Sequence, residues 1–125
     1  MNLNQVTVPS IDVEKSIRFY KNLGLRLIVK SLPNYARFEC PHGEATFSIH
    51  LVETLNDGEG VSVYFEVEDV AAEVVKIEAK GIDFDEQAEL RTWGWTEARL
   101  RDPDNNRIII FHGGSFRKNP PWRIN

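Results

Sequence analysis

The chain has 125 residues, 42% of them hydrophobic and 27% charged, enough to bury the core of one domain or of two small halves that share one. A formal charge of −4 and a pI near 5.4 give no electrostatic footprint for nucleic acid, whose phosphates need clustered Lys and Arg. No run approaches the roughly 18 apolar residues that span a bilayer, and the single cysteine, Cys40, excludes an internal disulfide and a cysteine-based zinc site.

The start "MNLNQVTVPSID" has neither a basic n-region nor an apolar h-region, which points to a cytoplasmic protein. Within it "QVTVPS" alternates as a strand does. Asp12 follows, placed to accept hydrogen bonds from the free N–H groups of a first helical turn. Val13, Ile17 and Tyr20 then recur at i, i+4 and i+7 as the apolar stripe of a helix, and Gly24 offers the left-handed conformation that ends it. "LRLIVKS", "ARFEC" and "ATFSIHLVE" read as three further strands, the last two joined by a "PHGE" hairpin turn, with Cys40 as a small buried hydrophobe. The polar, glycine-rich "ETLNDGEG" from Glu53 to Gly60 reads as a linker.

The same grammar then begins again. A shift of 57 residues lays "QVTVPSIDVEKSIRFYKNLGL", from Gln5, on "SVYFEVEDVAAEVVKIEAKGI", from Ser62, without a gap. Asp69 takes the place of Asp12, the stripe becomes Val70, Val74 and Ile77, and Gly81 stands where Gly24 stood. "DFDEQ", "WTEARLR" and "NRIIIFH" supply three strands, the last two joined by "DPDNN". Each half is thus β-α-β-β-β, module one spanning about residues 3–54 and module two about 61–112 of one α+β domain. The tail from residue 113 to 125, "GGSFRKNPPWRIN", is too short to fold alone, and its two readings are docking through Trp122, onto the domain or a partner subunit, and disorder.

Strand alternation points Val6, Val8, Phe47, Ile49, Leu51, Val63, Phe65, Ile108 and Ile110 toward the helices. The opposite phase is mixed: Gln5, Thr7, Arg37, Glu39, Ser48 and His50 in the first half, and Tyr64, Glu66, Glu97, Arg99 and Ile109 in the second, with Trp93 and Trp95 just before the strand that carries Glu97. Buried charge is costly unless paired or bound, so this phase is a candidate ligand surface. Arg37 and Arg99 suit a carboxylate or phosphate, and Tyr64, Trp93 and Trp95 a planar group. The competing readings are a structural network in which Arg37 pairs with Glu39 or Glu97, and side chains left in ordinary solvent.

The gapless repeat, "SIRFYKNLGL" on the first helix and the "RDPDNNRI" turn together resemble the vicinal oxygen chelate superfamily, which includes glyoxalase I, extradiol dioxygenases and bleomycin-resistance proteins. The resemblance covers roughly Leu3 to His112 and implies tandem βαβββ modules whose curled mixed sheets surround a cleft, and a homodimer. In catalytic members it implies a divalent metal held by about one residue from each of four strands and acting as a Lewis acid. The four positions fall here on Gln5, on Ser48 or His50, on Ser62 and on Ile109. Isoleucine cannot coordinate a metal, and serine is a poor ligand. The expectation is therefore a metal-free small-molecule-binding protein with no cofactor, its ligand held by Arg37, His50, Tyr64 and Glu66 together with Trp93, Trp95, Glu97 and Arg99. The alternative is a lyase, isomerase or dioxygenase with an altered set, Gln5, His50 and Glu97, on Zn, Ni, Mn or Fe. A third reading is an interaction module whose cleft is vestigial.

Overall fold

A computed structural model describes residues 1–124. In chain order its elements are β1 (Gln5–Ser10), α1 (Val13–Leu23), β2 (Arg26–Ser31), β3 (Tyr35–Glu39), β4 (Thr46–Leu51), β5 (Ser62–Glu66), α2 (Val70–Glu78), β6 (Glu86–Leu90), β7 (Thr96–Arg101), β8 (Arg107–His112) and α3 (Ser115–Lys118). The β-α-β-β-β order occurs twice, in two compact units. One unit comprises Met1–Gly60 with Asp102–Asn106, the other Val61–Arg101 with the chain from Arg107 onward.

The first unit holds a four-stranded mixed sheet in the order β1-β4-β3-β2, with β1 parallel to β4 and the other pairs antiparallel. The parallel pair needs a crossover, and α1 is part of it. Asp12 caps α1, its carboxylate accepting from the Lys15 N–H at 3.1 Å, and Gly24 ends it at φ 116° with its N–H donating to the carbonyls of Tyr20 and Lys21. Val13, Ile17 and Tyr20 are buried against the sheet, the Tyr20 ring lying 4.6 Å from Phe47 and 5.8 Å from Phe38. Side chains of this size, fully buried, contribute about 1.5–3 kcal/mol each.

The "DPDNN" turn belongs to this unit and does far more than reverse the chain. Asp102 Oδ1 accepts from the N–H groups of Asp104 and Asn106, at 2.9 and 2.8 Å, while Oδ2 accepts from the Tyr20 hydroxyl and the Asn106 amide. Asp104 accepts from the Ser16 hydroxyl at 2.7 Å and the Ile11 N–H at 2.9 Å, and the Asn106 amide donates to the Pro9 carbonyl. Both carboxylates are buried and satisfied by several donors, which is what makes their burial tolerable. Asn105 takes φ 66°, the left-handed turn position that Asn tolerates best among ordinary residues.

The second unit repeats the topology as β5-β8-β7-β6, with α2 capped by Asp69 through the Ala72 N–H at 3.0 Å. Val74, Ile77 and Ile82 meet a core that includes Val63, Ala98, Leu100, Ile108 and Ile110. Three expectations need correction. The second helix does not stop as the first does: α2 ends at Glu78 with Ala79 in the right-handed region, the N–H groups of Lys80 and Gly81 bonding three residues back, and Gly81 turns the chain two residues later at φ 88°. The sixth strand is Glu86–Leu90 rather than "DFDEQ", because Asp83 and Asp85 disfavour strand and regular pairing with β7 begins only at Glu86, with an irregularity before Glu89. Cys40, expected to be buried, is only half-buried.

In the tail, Glu66 accepts from the N–H groups of Gly113 and Gly114, and the Phe116 ring lies so close over Gly94 that an added Cβ would stand 2.1 Å from it. Trp122 packs edge-on against Phe116 and stays 59% exposed. Among the described residues no helix is long and apolar enough to cross a membrane.

Candidate functional site

In each unit the helix covers one face of the sheet, and alternation leaves the chemically varied residues on the other. On the first sheet, register sets three rows across the face away from α1: Gln5, Thr46 and Glu39; Thr7, Ser48 and Arg37; Pro9, His50 and Tyr35. Ser48 is fully buried and shares a 2.7 Å hydrogen bond with the Tyr35 hydroxyl. Arg37 donates from Nε to the same hydroxyl at 2.9 Å, its guanidinium carbon 5.5 Å from the Tyr35 ring centre. Burial works against ionisation of the Tyr35 phenol, but the bonds from Ser48 and Arg37 and the Arg37 charge outweigh it and hold its pKa below the ordinary value. Glu39 is held by Arg26 at 2.7 Å, not by Arg37. His50 is exposed, and Gln5 accepts from the Thr46 hydroxyl at 2.8 Å.

On the second sheet the corresponding rows are Ser62, Arg107 and Arg101; Tyr64, Ile109 and Arg99; Glu66, Phe111 and Glu97. Glu97 is wholly buried and accepts from Arg99 Nη2 at 2.9 Å, Arg99 Nε at 3.3 Å and the Trp93 indole at 3.0 Å. The hydrogen bonds to Glu97 push the Arg99 pKa up. Arg91 approaches Glu89, Glu86 and Glu97 at 3.4, 3.6 and 3.9 Å, its buried Nε and Nη2 making no hydrogen bond. Trp95 stacks on Phe111 at 4.8 Å, and Tyr64 meets both rings edge-on while staying 45% exposed.

Of the eight ligand residues expected from sequence, Arg37 and His50 share one face in the first unit, and Tyr64, Trp93, Trp95, Glu97 and Arg99 gather in the second. Glu66 is turned to the tail, near His112 and Arg117. Sequence reasoning passed over Tyr35, Phe111 and Arg91. Tyr35 and Phe111 were findable, lying in phase with Arg37 and Ile109. Arg91 sits in a turn, where no periodicity reaches it. A separate hollow of about 220 Å³, lined by Ile11, Asp12, Val13, Glu14, Leu32, Pro33 and Leu51, contains none of the eight.

Gln5 and His50, two members of the altered set, are not placed to share one divalent cation. Among the described residues no three His, Cys, Asp or Glu side chains are gathered as ligands. Gln5 lies beside Thr46 and His50 beside Pro9, four steps apart in the register, or about 13 Å of strand. Glu97, the acid of the altered set, already accepts from Arg99 and Trp93, and the guanidinium bonded to it opposes a second positive charge.

Residues 2–110 match the profile of the Glyoxalase/Bleomycin resistance protein/Dioxygenase superfamily. No curated protein sequence matches the chain significantly. Among solved structures, one similar to it is a glyoxalase/bleomycin resistance protein/dioxygenase from Nocardioides, 20% identical with a TM-score of 0.78, covering 100% of this chain and 90% of that one. A bleomycin-binding protein complexed with bleomycin is 20% identical, with a TM-score of 0.74 and coverage of 91% and 99%. Lactoylglutathione lyase from Agrobacterium tumefaciens is 19% identical, with a TM-score of 0.73 and coverage of 90% and 93%. At these identities the likeness is one of fold.

Proposed function

The chain belongs to the Glyoxalase/Bleomycin resistance protein/Dioxygenase superfamily, and from that premise we propose that it is a small-molecule-binding protein of the bleomycin-resistance type, working without a four-ligand metal centre. The observation that carries this reading is the state of Glu97: a buried carboxylate on the sheet face away from the helix, bonded by Arg99 and Trp93. Ser62 and Ile109 stand at two of the positions where a catalytic relative would place ligands. What these faces offer instead is aromatic surface at Tyr64 and Trp93 and hydrogen-bond donors at Arg37 and Arg99, the mixture a ligand site uses. The bleomycin complex of a structural neighbour supports the same reading by analogy of fold.

Elemental analysis of protein purified without chelator, joined to a thermal-shift screen of small molecules, tests it. The expected result is metal well below stoichiometry and a rise in Tm that grows with the logarithm of ligand concentration, about 2.7 kcal/mol of stabilisation at a ligand concentration a hundredfold above Kd. Stoichiometric Zn, Ni, Mn or Fe would overturn it in favour of a lyase, isomerase or dioxygenase with an altered ligand set. What favours that second reading is His50, an exposed imidazole with no hydrogen-bond partner among the described residues. It requires His50→Ala to abolish metal uptake. The family resemblance also supports a homodimer, which sedimentation equilibrium checks.

A further inference from the structure

Arg37 and Arg99 occupy equivalent places. Each lies on the third strand of its module, Arg37 level with Ser48 and Thr7, Arg99 level with Ile109 and Tyr64. Each donates from Nε to the side chain two residues earlier on the same face, Tyr35 in one case and Glu97 in the other. The local geometry is duplicated, but the charge balance is not. Arg99 faces Glu97 at 2.9 Å and Glu86 at 3.4 Å, so its positive charge is spent within the protein. Arg37 rests on a phenol, and the acid on its own strand, Glu39, is engaged by Arg26. Among the described residues no carboxylate stands within ion-pairing distance of Arg37, and its two Nη groups donate to none of them.

We propose that Arg37 is an oxyanion-binding residue: its Nη groups take the carboxylate or phosphate monoester of a small organic ligand on the face of the first sheet away from α1. This deepens the binding-protein reading and rests on it. A guanidinium presents two parallel donors to such a group, and one without an internal counter-charge attracts it most strongly. Tyr35 acts as a positioning residue. Its hydroxyl is fixed by the buried Ser48 and in turn fixes Arg37 Nε, which reduces the ordering cost on binding. Thr7, beside Ser48, and the exposed His50 flank the position and can donate to the same group.

Calorimetric titration of the full chain with benzoate, phenyl phosphate and inorganic phosphate at low ionic strength tests the proposal. Arg37→Met should weaken binding about ten- to a hundredfold, with Arg37→Lys between it and the native protein. Lys30→Met, which removes an exposed charge from the neighbouring strand, should leave Kd unchanged. Tyr35→Phe should weaken binding several-fold while thermal melts show the fold intact. Preference for phenyl phosphate over benzoate assigns a phosphate ligand, the reverse a carboxylate. Equal binding of inorganic phosphate limits recognition to the head group. Unchanged affinity in Arg37→Met, equal losses in Arg37→Met and Lys30→Met, a loss confined to Arg99→Met, or no binding of any probe at millimolar concentration overturns the inference. Should a neutral or cationic compound bind metal-free protein instead, the binding reading stands and the oxyanion site alone falls. Stoichiometric metal removes the binding reading whatever Arg37 does.

Discussion

Tyr20 and Ile77 stand at the same step of the duplicated helices, 57 residues apart, and both are buried. Tyr20 carries a hydroxyl to Asp102, and around that bond Ser16, Asp104 and Asn106 form a polar network on the helix side of the first sheet. Ile77 packs as plain hydrocarbon, and the second unit keeps its buried acid, Glu97, on the opposite face of its own sheet. The hairpin turns differ in the same sense. His42 and Glu44 of "PHGE" are exposed, whereas Asp102 and Asp104 of "DPDNN" are buried. Duplication therefore preserved the backbone pattern and the apolar stripe, while the buried polar groups diverged, because each needs particular partners and the stripe needs only hydrocarbon.

The contrast is testable. The largest effect is expected from Glu97→Ala, which removes the buried carboxylate bonded by Arg99 and the Trp93 indole. A loss of about 3 kcal/mol, the low end for a broken buried pair because Arg99 stays 40% exposed, should appear in urea denaturation. Next is Tyr20→Phe. Taking one donor from the buried Asp102 should cost about 2 kcal/mol, against about 1 kcal/mol for Ile77→Val, a simple methyl deletion. Equal losses would erase the distinction drawn between the two helices. The caps should behave alike: Asp12→Ala and Asp69→Ala should each lose about 1 kcal/mol, and a large disparity in their melts would show that the two helix starts are not equivalent.

The smallest effect is the pH dependence of Asp102. Burial raises its pKa despite the hydrogen bonds from Tyr20, Asn106 and Asp104 that pull the other way, and burial, with Asp102 beside it, also pushes the Tyr20 phenol up. A raised folded-state pKa means that the native protein holds the proton more tightly than the unfolded chain. The stability it contributes is full below the ordinary carboxylate range and is lost as pH rises through the raised value. Acidification through that window should therefore improve the native protein relative to Asp102→Asn, read as the difference between their urea midpoints.

Much of this was legible in one dimension. Asp12 and Asp69 act as caps on N–H groups three residues ahead, and Val13, Ile17 and Tyr20 form a stripe through local helical geometry. The "DPDNN" turn was legible as a turn but not as an anchor, since Tyr20 and Ser16 lie 82 and 88 residues from the acids they bond. The face of Arg37 followed from alternation. Its partner did not: Glu39 and Glu97 were the candidates, and Tyr35, braced by Ser48 from the adjacent strand, holds it instead.

By itself the sequence determined the twofold β-α-β-β-β order, the helix starts and the phase of each strand, because those depend on period and on hydrogen bonds within a few residues. Only tertiary structure decided that Glu97 is enclosed by an arginine and an indole while Arg37 rests on a phenol with no carboxylate beside it among the described residues. Periodicity assigns a side chain to a face, but its neighbours there come from other strands and turns, and they decide which charges are compensated.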